Sequence, residues 1–421
     1  MIFASRKDYL TIIESVEQNV SMKLEKNLSY IEPWFFLRIQ LGFFLHTIYG
    51  ERSKIDKVNS TSEPREEAVS LFRKKLSLAK KLVKIAIYSN KLRNCFAGKV
   101  MYSGYRSNNI SNFSYNMYLH PFADLDPKGI VYYFDSNPHH PELDSFFKIL
   151  TSYYTAIFTK SQEQIILKNV RKITDFLKDE HDIKSNYLEE QLFFSSKTYL
   201  IQCLVMEHFL KVVTPDKIFL YCYYDRKANA SIAAARRRGI KVIEYQHSSI
   251  SDNHFAYAKW PNLELMSNHF PTDFFLWEKK DALLIEQNFN TQNYQPFVTI
   301  TGNKYINKKM AENISINTKN KSILVCLQGK WIPDFLQSFV SQKREYKWFF
   351  RLHPRYPADQ EVLNKFASQK EHVETERANK EELFELFKEV STVITAFSGT
   401  ALEAAKKKKK VIIYGKDGLE T

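Results

Sequence analysis

Short apolar runs that stop at polar residues alternate with helical patterns from residue 95 onward. The apolar runs lie at 99–104, 130–134, 217–224 and 241–245. An alanine-rich helix is predicted between the last two runs, and Gly239 ends it where a left-handed residue is favoured. A strand, a helix and a strand in this order predict parallel strands joined by a crossover helix.

A second series of the same kind begins near residue 296. Its predicted strands cover 297–301, 322–327, 348–352, 392–396 and 410–414, with helices at 380–388 and 400–407. We interpret 274–288 as a linking segment. The pattern therefore predicts an α/β protein with two Rossmann-like domains that face a central cleft. The predicted parts are a helical N-terminal extension at 1–94, a first domain at 95–288 and a second domain at 296–421.

The N-terminal extension contains the most hydrophobic stretch of the chain, within 30–45. Glu32, Pro33 and Arg38 interrupt it, so its uncharged run falls short of the ~20 residues that a membrane span needs. It therefore predicts a buried or interfacial helix. A helix at 65–89 follows, with apolar residues at helical spacing between lysines, which is typical of an amphipathic surface helix.

Composition and charge narrow the class of protein. Of the 421 residues 44% are hydrophobic, including 24 Tyr and 32 Phe, which supports sizeable cores. The four cysteines show neither metal-ligand spacing nor a disulfide pattern, which indicates a reducing cytoplasm. The net charge of +14 indicates anionic partners. Because no nucleic-acid-binding module accompanies it, an anionic membrane surface or anionic substrates are the favoured partners.

Basic residues cluster where one strand of the second domain ends. Arg351 and Arg355 flank His353, and strand alternation points Arg351 and His353 to the same side. His353 is a candidate hydrogen-bond donor to a phosphate, or an acid that assists a leaving nucleotide. A purely structural His before a proline is the alternative. Neutralising a leaving phosphate is the electrostatic task that such a cluster performs.

Ser398, Gly399 and Thr400 form the turn where another strand meets a helix. Free backbone N–H groups and hydroxyls at a helix start predict a phosphate site. Ser398 and Thr400 also fit ordinary helix caps, worth about 1 kcal/mol, and both roles use the same groups. Two such strand ends side by side in a parallel sheet make a nucleotide pocket.

Candidate acceptor-side residues follow strands of the first domain. His247, with Asp225 and Asp252 nearby, is a candidate base for activating a hydroxyl, although a histidine satisfied within the core is the alternative. Asp225 ends the adjacent strand and competes for the same role. Arg106 is a candidate ligand for an anionic acceptor, with a solvated loop arginine as the alternative.

One carboxylate pair has the spacing of a metal site. Asp124 and Asp126 match the Asp-x-Asp pattern, but they lie beside prolines and not at a strand end. The basic cluster around His353 favours charge neutralisation by side chains, so no metal ion is expected.

The chain resembles the GT-B-type bacterial glycosyltransferases of capsule and lipopolysaccharide synthesis. Related patterns occur in Kdo transferases, polysialyltransferases and glycerol-phosphate polymerases of teichoic acid synthesis. The resemblance covers residues 95–415. The matching motifs are Glu244-Tyr245-Gln246-His247, Thr301-Gly302-Asn303, Leu327-Gln328-Gly329, Arg351-Leu352-His353-Pro354 and Ser398-Gly399-Thr400-Ala401-Leu402-Glu403, and Glu32 to Arg38 resembles a Trp-x-x-x-Arg segment of the same enzymes.

This resemblance implies a GT-B-like fold and a nucleotide-activated sugar as donor, linked to CMP, UDP or GDP, with no separate cofactor. It implies that Gln328 and Gly329 contribute to the donor site and that Glu403 bonds the donor ribose. The alternative for Glu403 is an interaction with the helix dipole. The sequence departs from the family pattern in three places. Lys406 to Lys410 replace the small residue or glycine that is common before the last strand. Ser248 replaces a usual glycine, and the chain stops soon after its last strand, so the second domain is expected to be truncated or to lack the usual closing helix.

The leading hypothesis is therefore transfer of a sugar to a polysaccharide or lipid-linked glycan of the cell surface. A phosphotransferase with a CDP-polyol donor would use the same pocket, and a non-catalytic nucleotide-binding scaffold is a third alternative. The basic helix at 65–89 and the aromatic segment at 30–49 supply charge and apolar area for weak membrane attachment. We expect a cytoplasmic protein that is peripheral at the inner face of the cytoplasmic membrane.

Overall fold

The structure is a computed structural model that describes residues 6–20, 33–49, 71–105, 116–135, 137, 140–311, 321–327, 332–353, 360–396 and 398–415. The described residues form two compact units, each built on one parallel sheet. The first unit takes its residues from Met1–Tyr105, Phe122–His247 and Asp252–Thr301. The second takes them from Arg106–Pro121, Ser248–Ser251 and Gly302–Thr421.

The sheet of the first unit has the order β2-β1-β3-β4-β5-β6. All pairs are parallel, and the order is that of flavodoxin-like folds with a sixth strand added. The alternation of apolar runs and helical patterns therefore predicted this topology class correctly. The strands are β1 Val100–Gly104, β2 Ile130–Tyr133, β3 Lys217–Tyr221, β4 Lys241–Tyr245, β5 Asp273–Leu276 and β6 Phe297–Ile300.

Local sequence signals set the ends of the helices in this part of the chain. Thr159 and Gln162 form a capping box before the helix at 160–181, and Ser185 caps the helix at 186–213. Gly239 has φ +68, which confirms the predicted left-handed end of the alanine-rich helix. The helices are α1 Arg6–Asn19, α2 Pro33–Tyr49, α3 Leu71–Leu92, α4 His120–Ala123, α5 Pro141–Ile157, α6 Lys160–His181, α7 Asn186–Val213, α8 Arg226–Arg237 and α9 Lys279–Phe289, with a 3-10 helix at Leu263–His269.

Two assignments made from the pattern are wrong. The segment at 274–288 is not a linker, because it forms β5 and most of α9. The strand at 297–300 pairs with β5 in the first sheet, although the pattern assigned it to the second series. Both errors have one cause. Strand partners are set by contacts between distant segments, so the sequence of a short apolar run does not indicate which sheet the run joins.

The aromatic segment at the N-terminus is packed inside the first unit. Phe35, Ile39 and Leu45 of α2 are fully buried, and Phe35 stacks on Trp260 with ring centroids 5.0 Å apart. Of the two alternatives that the sequence left open for this segment, the described residues show the buried helix. These buried side chains are therefore not available to a membrane surface.

The sheet of the second unit has the order β11-β10-β7-β8-β9. If β7 to β11 are numbered 1 to 5, the order read from the β9 edge is 3-2-1-4-5, which is the order of the first five strands of a Rossmann fold. The strands are β7 Ser322–Cys326, β8 Lys347–Arg351, β9 Val373–Glu374, β10 Thr392–Thr395 and β11 Lys410–Ile413. The helices are α10 Lys304–Ala311, α11 Asp334–Gln342, α12 Gln360–Ala367, α13 Glu376–Lys380, α14 Leu383–Glu389 and α15 Thr400–Lys406.

The core of this second unit lies on both faces of its sheet. Leu324 and Phe349 pack on one face with the helices α14 and α15, and Val325 and Phe350 pack on the other with α11 and α12. Burial on both faces explains why these strands read as continuous apolar runs. The expected α/β fold, with two Rossmann-like domains and helices before the first sheet, is thus observed. No helix in the described ranges has the length and apolar character to cross a bilayer.

Candidate functional site

The second sheet has a topological switch point between β7 and β10. From β7 the chain proceeds outward through β8 and β9, and from β10 it proceeds to β11 on the other side. Ligands of open parallel sheets bind beyond the carboxyl ends of the strands at such a point. The last residues of three adjacent strands, Thr395, Cys326 and Arg351, are register partners in one row along this edge.

The turn predicted to hold phosphate follows Thr395, the last residue of β10, by three residues. The Ser398 hydroxyl is 3.1 Å from Thr400 Oγ1, and Ser398 Oγ accepts a bond of 3.3 Å from the Thr400 N–H. The Thr400 side chain also hydrogen-bonds with Cys326, and burial raises the pKa of the Cys326 thiol to about 12. Gly399 has an ordinary φ of −52 and open space where a Cβ would lie. Its backbone is therefore accessible to a ligand.

Arg351 lies at the edge of the site, and the hydrogen bonds observed for its side chain go to backbone carbonyls of the protein. Its side chain is nearly buried, and Nη1 donates to the carbonyls of Ala378 and Glu381, both at 2.7 Å. Burial lowers the pKa of its guanidinium, while Cys326 and Glu403 act in the opposite direction. Arg351 thus fixes the α13 segment to the end of β8 and adds a positive charge near Glu403.

Glu403 faces the same edge from the first turn of α15. Burial raises the pKa of its carboxyl group to about 7, against the opposing charges of Arg351 and Lys406. A carboxyl group with this pKa can accept a hydrogen bond as an anion or donate one as an acid near neutral pH. The sequence predicted this residue only through its family motif.

Asn379 is a residue of this site that sequence reasoning missed. Its side-chain nitrogen donates to the carbonyls of Phe350 and Thr375, at 3.0 and 2.6 Å, and its oxygen accepts from Leu352 N–H at 2.7 Å. Asn379 therefore holds the chain just before His353, which is half-buried two residues beyond β8. No local signal marks it, because an Asn in a short charged helix reads as a surface residue.

The first sheet has its own switch point, between β1 and β3, and Asp225 lies beside it. Asp225 Oδ1 accepts from the N–H groups of Lys227 and Ala228, at 2.9 and 3.4 Å, which caps α8. The Tyr105 hydroxyl donates to the same oxygen at 2.9 Å. Within the described part of the chain, no hydrogen bond to Oδ2 is found, so this oxygen is available to a ligand.

His247 follows β4, one strand further along the same edge. Its Nε2 lies 3.3 Å from the Tyr224 hydroxyl, and the two rings are 5.7 Å apart. Burial, together with the charges of Arg6 and His247, lowers the pKa of the neighbouring His254 to about 3. His254 is therefore neutral at physiological pH, and Tyr224 is a second residue that sequence reasoning missed.

Several predicted site residues lie outside the described residues: Arg106, Gln328, Gly329 and Arg355. Asp126 of the Asp-x-Asp pattern is engaged locally, because its carboxylate accepts from the Tyr102 hydroxyl and the Lys128 N–H, both at 3.2 Å. In the ranges that the structure covers, no three His, Cys, Asp or Glu side chains gather as potential metal ligands.

No protein-family model matches this sequence, and no curated protein matches it. Solved structures with partial likeness include S. aureus MnaA with UDP, at 15% identity over 75% of this chain and 78% of that chain, with a TM-score of 0.43. The UDP-GlcNAc 2-epimerase of Neisseria meningitidis bound to UDP-GlcNAc has 15% identity over 76% and 83%, with a TM-score of 0.38. The UDP-N-acetylglucosamine 2-epimerase of Rickettsia bellii has 13% identity over 74% and 78%, with a TM-score of 0.40. All three TM-scores lie below 0.5, so the likeness carries no argument about what this chain binds or does.

Proposed function

We propose that this protein is a glycosyltransferase that moves a sugar from a nucleotide-activated donor to a surface-polysaccharide acceptor. The observation that carries the proposal is the convergence of Ser398, Thr400, Glu403 and Arg351 at the switch point of the second sheet. Hydroxyls, an accessible backbone, a positive charge and a carboxyl group with a pKa near 7 are the groups that bind phosphate and sugar hydroxyls.

In this proposal the second unit holds the nucleotide. The hydroxyls of Ser398 and Thr400 donate to the donor phosphates, and the open position at Gly399 lets the phosphates approach the backbone. Glu403 accepts from a donor hydroxyl, as the family motif implies for the ribose. His353 supplies the proton or the positive charge to the leaving nucleotide. Its backbone is held in place because Asn379 accepts a hydrogen bond from the N–H of the preceding residue, Leu352.

The first unit supplies the acceptor chemistry in the same proposal. Transfer to a hydroxyl needs a base, and Asp225 and His247 are the candidates at the carboxyl edge of its sheet. We propose that side chains, and not a metal ion, neutralise the leaving phosphate. The motif resemblance supports a capsule or lipopolysaccharide chain as acceptor, at the inner face of the cytoplasmic membrane.

Donor binding and transfer test this function directly. We expect calorimetry with UDP, GDP and CMP to show binding of at least one nucleotide. We expect the matching nucleotide sugar to release its nucleotide in the presence of a glycan acceptor, with a product heavier by one sugar. Turnover should persist in excess EDTA. A loss of turnover that magnesium restores would instead favour a metal site at Asp124 and Asp126.

The His353→Ala variant isolates the proposed leaving-group residue. We expect turnover to fall at least about 100-fold, the usual contribution of a general acid, while the melting temperature stays close to that of the wild type. His372→Ala is the matched control, because His372 is also half-buried in this unit but precedes β9 at the opposite edge of the sheet. Equal turnover in the two variants would show that His353 has no role in the reaction. If the protein binds nucleotide but transfers no sugar, it would be a non-catalytic nucleotide-binding scaffold.

A further inference from the structure

The helix α3 carries apolar side chains on its outward face. Leu76 is 47% exposed, and Val83 and Ile87 are each 60% exposed. Their spacings of seven and four residues place them along one line of the helix. Exposed large apolar residues occur singly on most proteins, but a line of them on one helix marks an interaction surface.

The opposite face of α3 already packs on the first unit. Ile85 and Leu92 are buried, and the Tyr88 ring stacks on Phe146 with centroids 6.3 Å apart. Lys81 donates to the Ser152 carbonyl at 3.1 Å on the same side. The exposed line is therefore a second apolar face of a helix whose packing face is occupied.

Basic residues border the exposed line. Lys80 lies within the line, between Leu76 and Val83, and Lys84 directly follows Val83; both are exposed, and in the described part of the chain neither has a carboxylate partner. The helix contains seven Lys or Arg and no Asp or Glu. Two copies of such a face would bring like charges together, which disfavours self-association.

We propose that the outer face of α3 binds an anionic lipid surface. Leu76, Val83 and Ile87 enter the boundary between headgroups and acyl chains, and Lys80 and Lys84 contact anionic headgroups. We assign this role to α3 and not to α2, because most of the described apolar side chains of α2 are buried. The inference does not depend on the transfer chemistry, since a protein inactive as a transferase would still bind vesicles.

Co-sedimentation of the full chain with vesicles tests the surface. We expect wild-type protein to pellet with phosphatidylglycerol-containing vesicles in dilute buffer, not with phosphatidylcholine vesicles, and to be released by salt. The Val83→Gln/Ile87→Gln variant should bind about tenfold more weakly, because it loses two inserted apolar side chains. The matched control is Leu125→Gln/Leu265→Gln, which changes two leucines that are 81% exposed elsewhere and should bind like the wild type.

A second pair of variants separates the local surface from the overall charge. Lys80→Glu/Lys84→Glu and Lys168→Glu/Lys178→Glu change the net charge equally, and the second pair lies on α6. We expect only the first pair to abolish binding. Equal losses in both pairs, or wild-type binding by Val83→Gln/Ile87→Gln, would overturn the proposal. A wild-type dimer that the Val83→Gln/Ile87→Gln substitutions convert to a monomer, without vesicle binding by either form, would assign the face to a second copy of the chain.

Discussion

At the scale of single residues, Glu244 is a buried carboxyl group within the strand β4. It is fully inaccessible, and Oε1 accepts from the Tyr257 hydroxyl at 2.8 Å and the Tyr223 N–H at 3.4 Å. Burial raises the pKa of its carboxyl group from 4.5 to about 8, although both hydrogen bonds act in the opposite direction. Glu244 is therefore neutral at pH 7, and the strand tolerates a glutamate because the carboxyl group keeps its proton.

This pKa makes the stability of the protein depend on pH. Between about pH 4.5 and pH 8 the folded chain retains a proton that the unfolded chain has released, so stability falls as pH rises through this range. The Glu244→Gln variant should lack this dependence. We expect the difference in free energy of unfolding between variant and wild type to change by about 4 to 5 kcal/mol across the range.

Urea unfolding from pH 4.5 to 8.5 measures the effect. Glu264→Gln, at an exposed position of the 3-10 helix, is the control and should follow the wild type. A Glu244→Gln curve parallel to that of the wild type would show that Glu244 ionises normally in the folded protein.

At the scale of elements, Asp225 has two separable tasks at the start of α8. Its Oδ1 caps the helix, and its Oδ2 is the candidate acceptor of a substrate proton. Asparagine caps a helix about as well as aspartate but cannot act as a base, whereas alanine does neither. The two substitutions therefore distinguish the roles.

We expect Asp225→Asn to keep its stability and lose turnover at least about 100-fold, because Asp225 lies at the switch point of the first sheet. Asp225→Ala should lose similar turnover and, in addition, about 1 to 2 kcal/mol of stability. Urea unfolding and nucleotide release provide the two measurements. Full turnover in Asp225→Asn would leave Asp225 as a cap alone and transfer the role of base to His247, which His247→Gln then tests.

At the scale of the whole molecule, Arg38 ties the N-terminal helices to the first unit. Its Nε donates to Glu17 on α1 at 3.2 Å, and its other nitrogens donate to the carbonyls of Phe255 and Lys259, both at 2.8 Å. The guanidinium also lies 4.0 Å from the centroid of the Trp260 ring. Both charged side chains are fully buried, so the ion pair joins α1, α2 and the segment before the 3-10 helix.

Removing one member of this pair should be costly. We expect Arg38→Met to lower the free energy of unfolding by about 3 to 5 kcal/mol, because it leaves the buried carboxyl group of Glu17 without its charged partner. The double variant Glu17→Gln/Arg38→Met should be less destabilised than Arg38→Met alone. The control is Arg171→Met, since Arg171 forms an exposed pair with Glu189 at the same 3.2 Å, worth at most about 1 kcal/mol. Equal effects of Arg38→Met and Arg171→Met in urea would contradict this view.

Much of the fold follows from local patterns. Apolar runs predicted most of the strands, because strands buried on both faces of a parallel sheet have few polar positions. The cluster at Arg351, Ser398 and Thr400 was predicted from the same logic, because parallel strands present their carboxyl ends at one edge. Side-chain contacts between residues far apart in the sequence could not be predicted from local patterns. Asn379 reaches β8 from a helix that the sequence marks only as charged, and Tyr224 reaches His247 from the neighbouring strand end.

The chain alone was thus enough to establish two parallel α/β sheets and the edges where their polar residues collect, because both follow from periodicity and from short-range preferences. Folding in three dimensions settled the rest. It assigned β6 to the first sheet, buried α2, and directed Arg351 Nη1 to the carbonyls of Ala378 and Glu381. It also left the apolar line of α3 exposed. These outcomes depend on which distant segments compete for the same buried surface, and the free energy of that competition is a property of the whole packed chain.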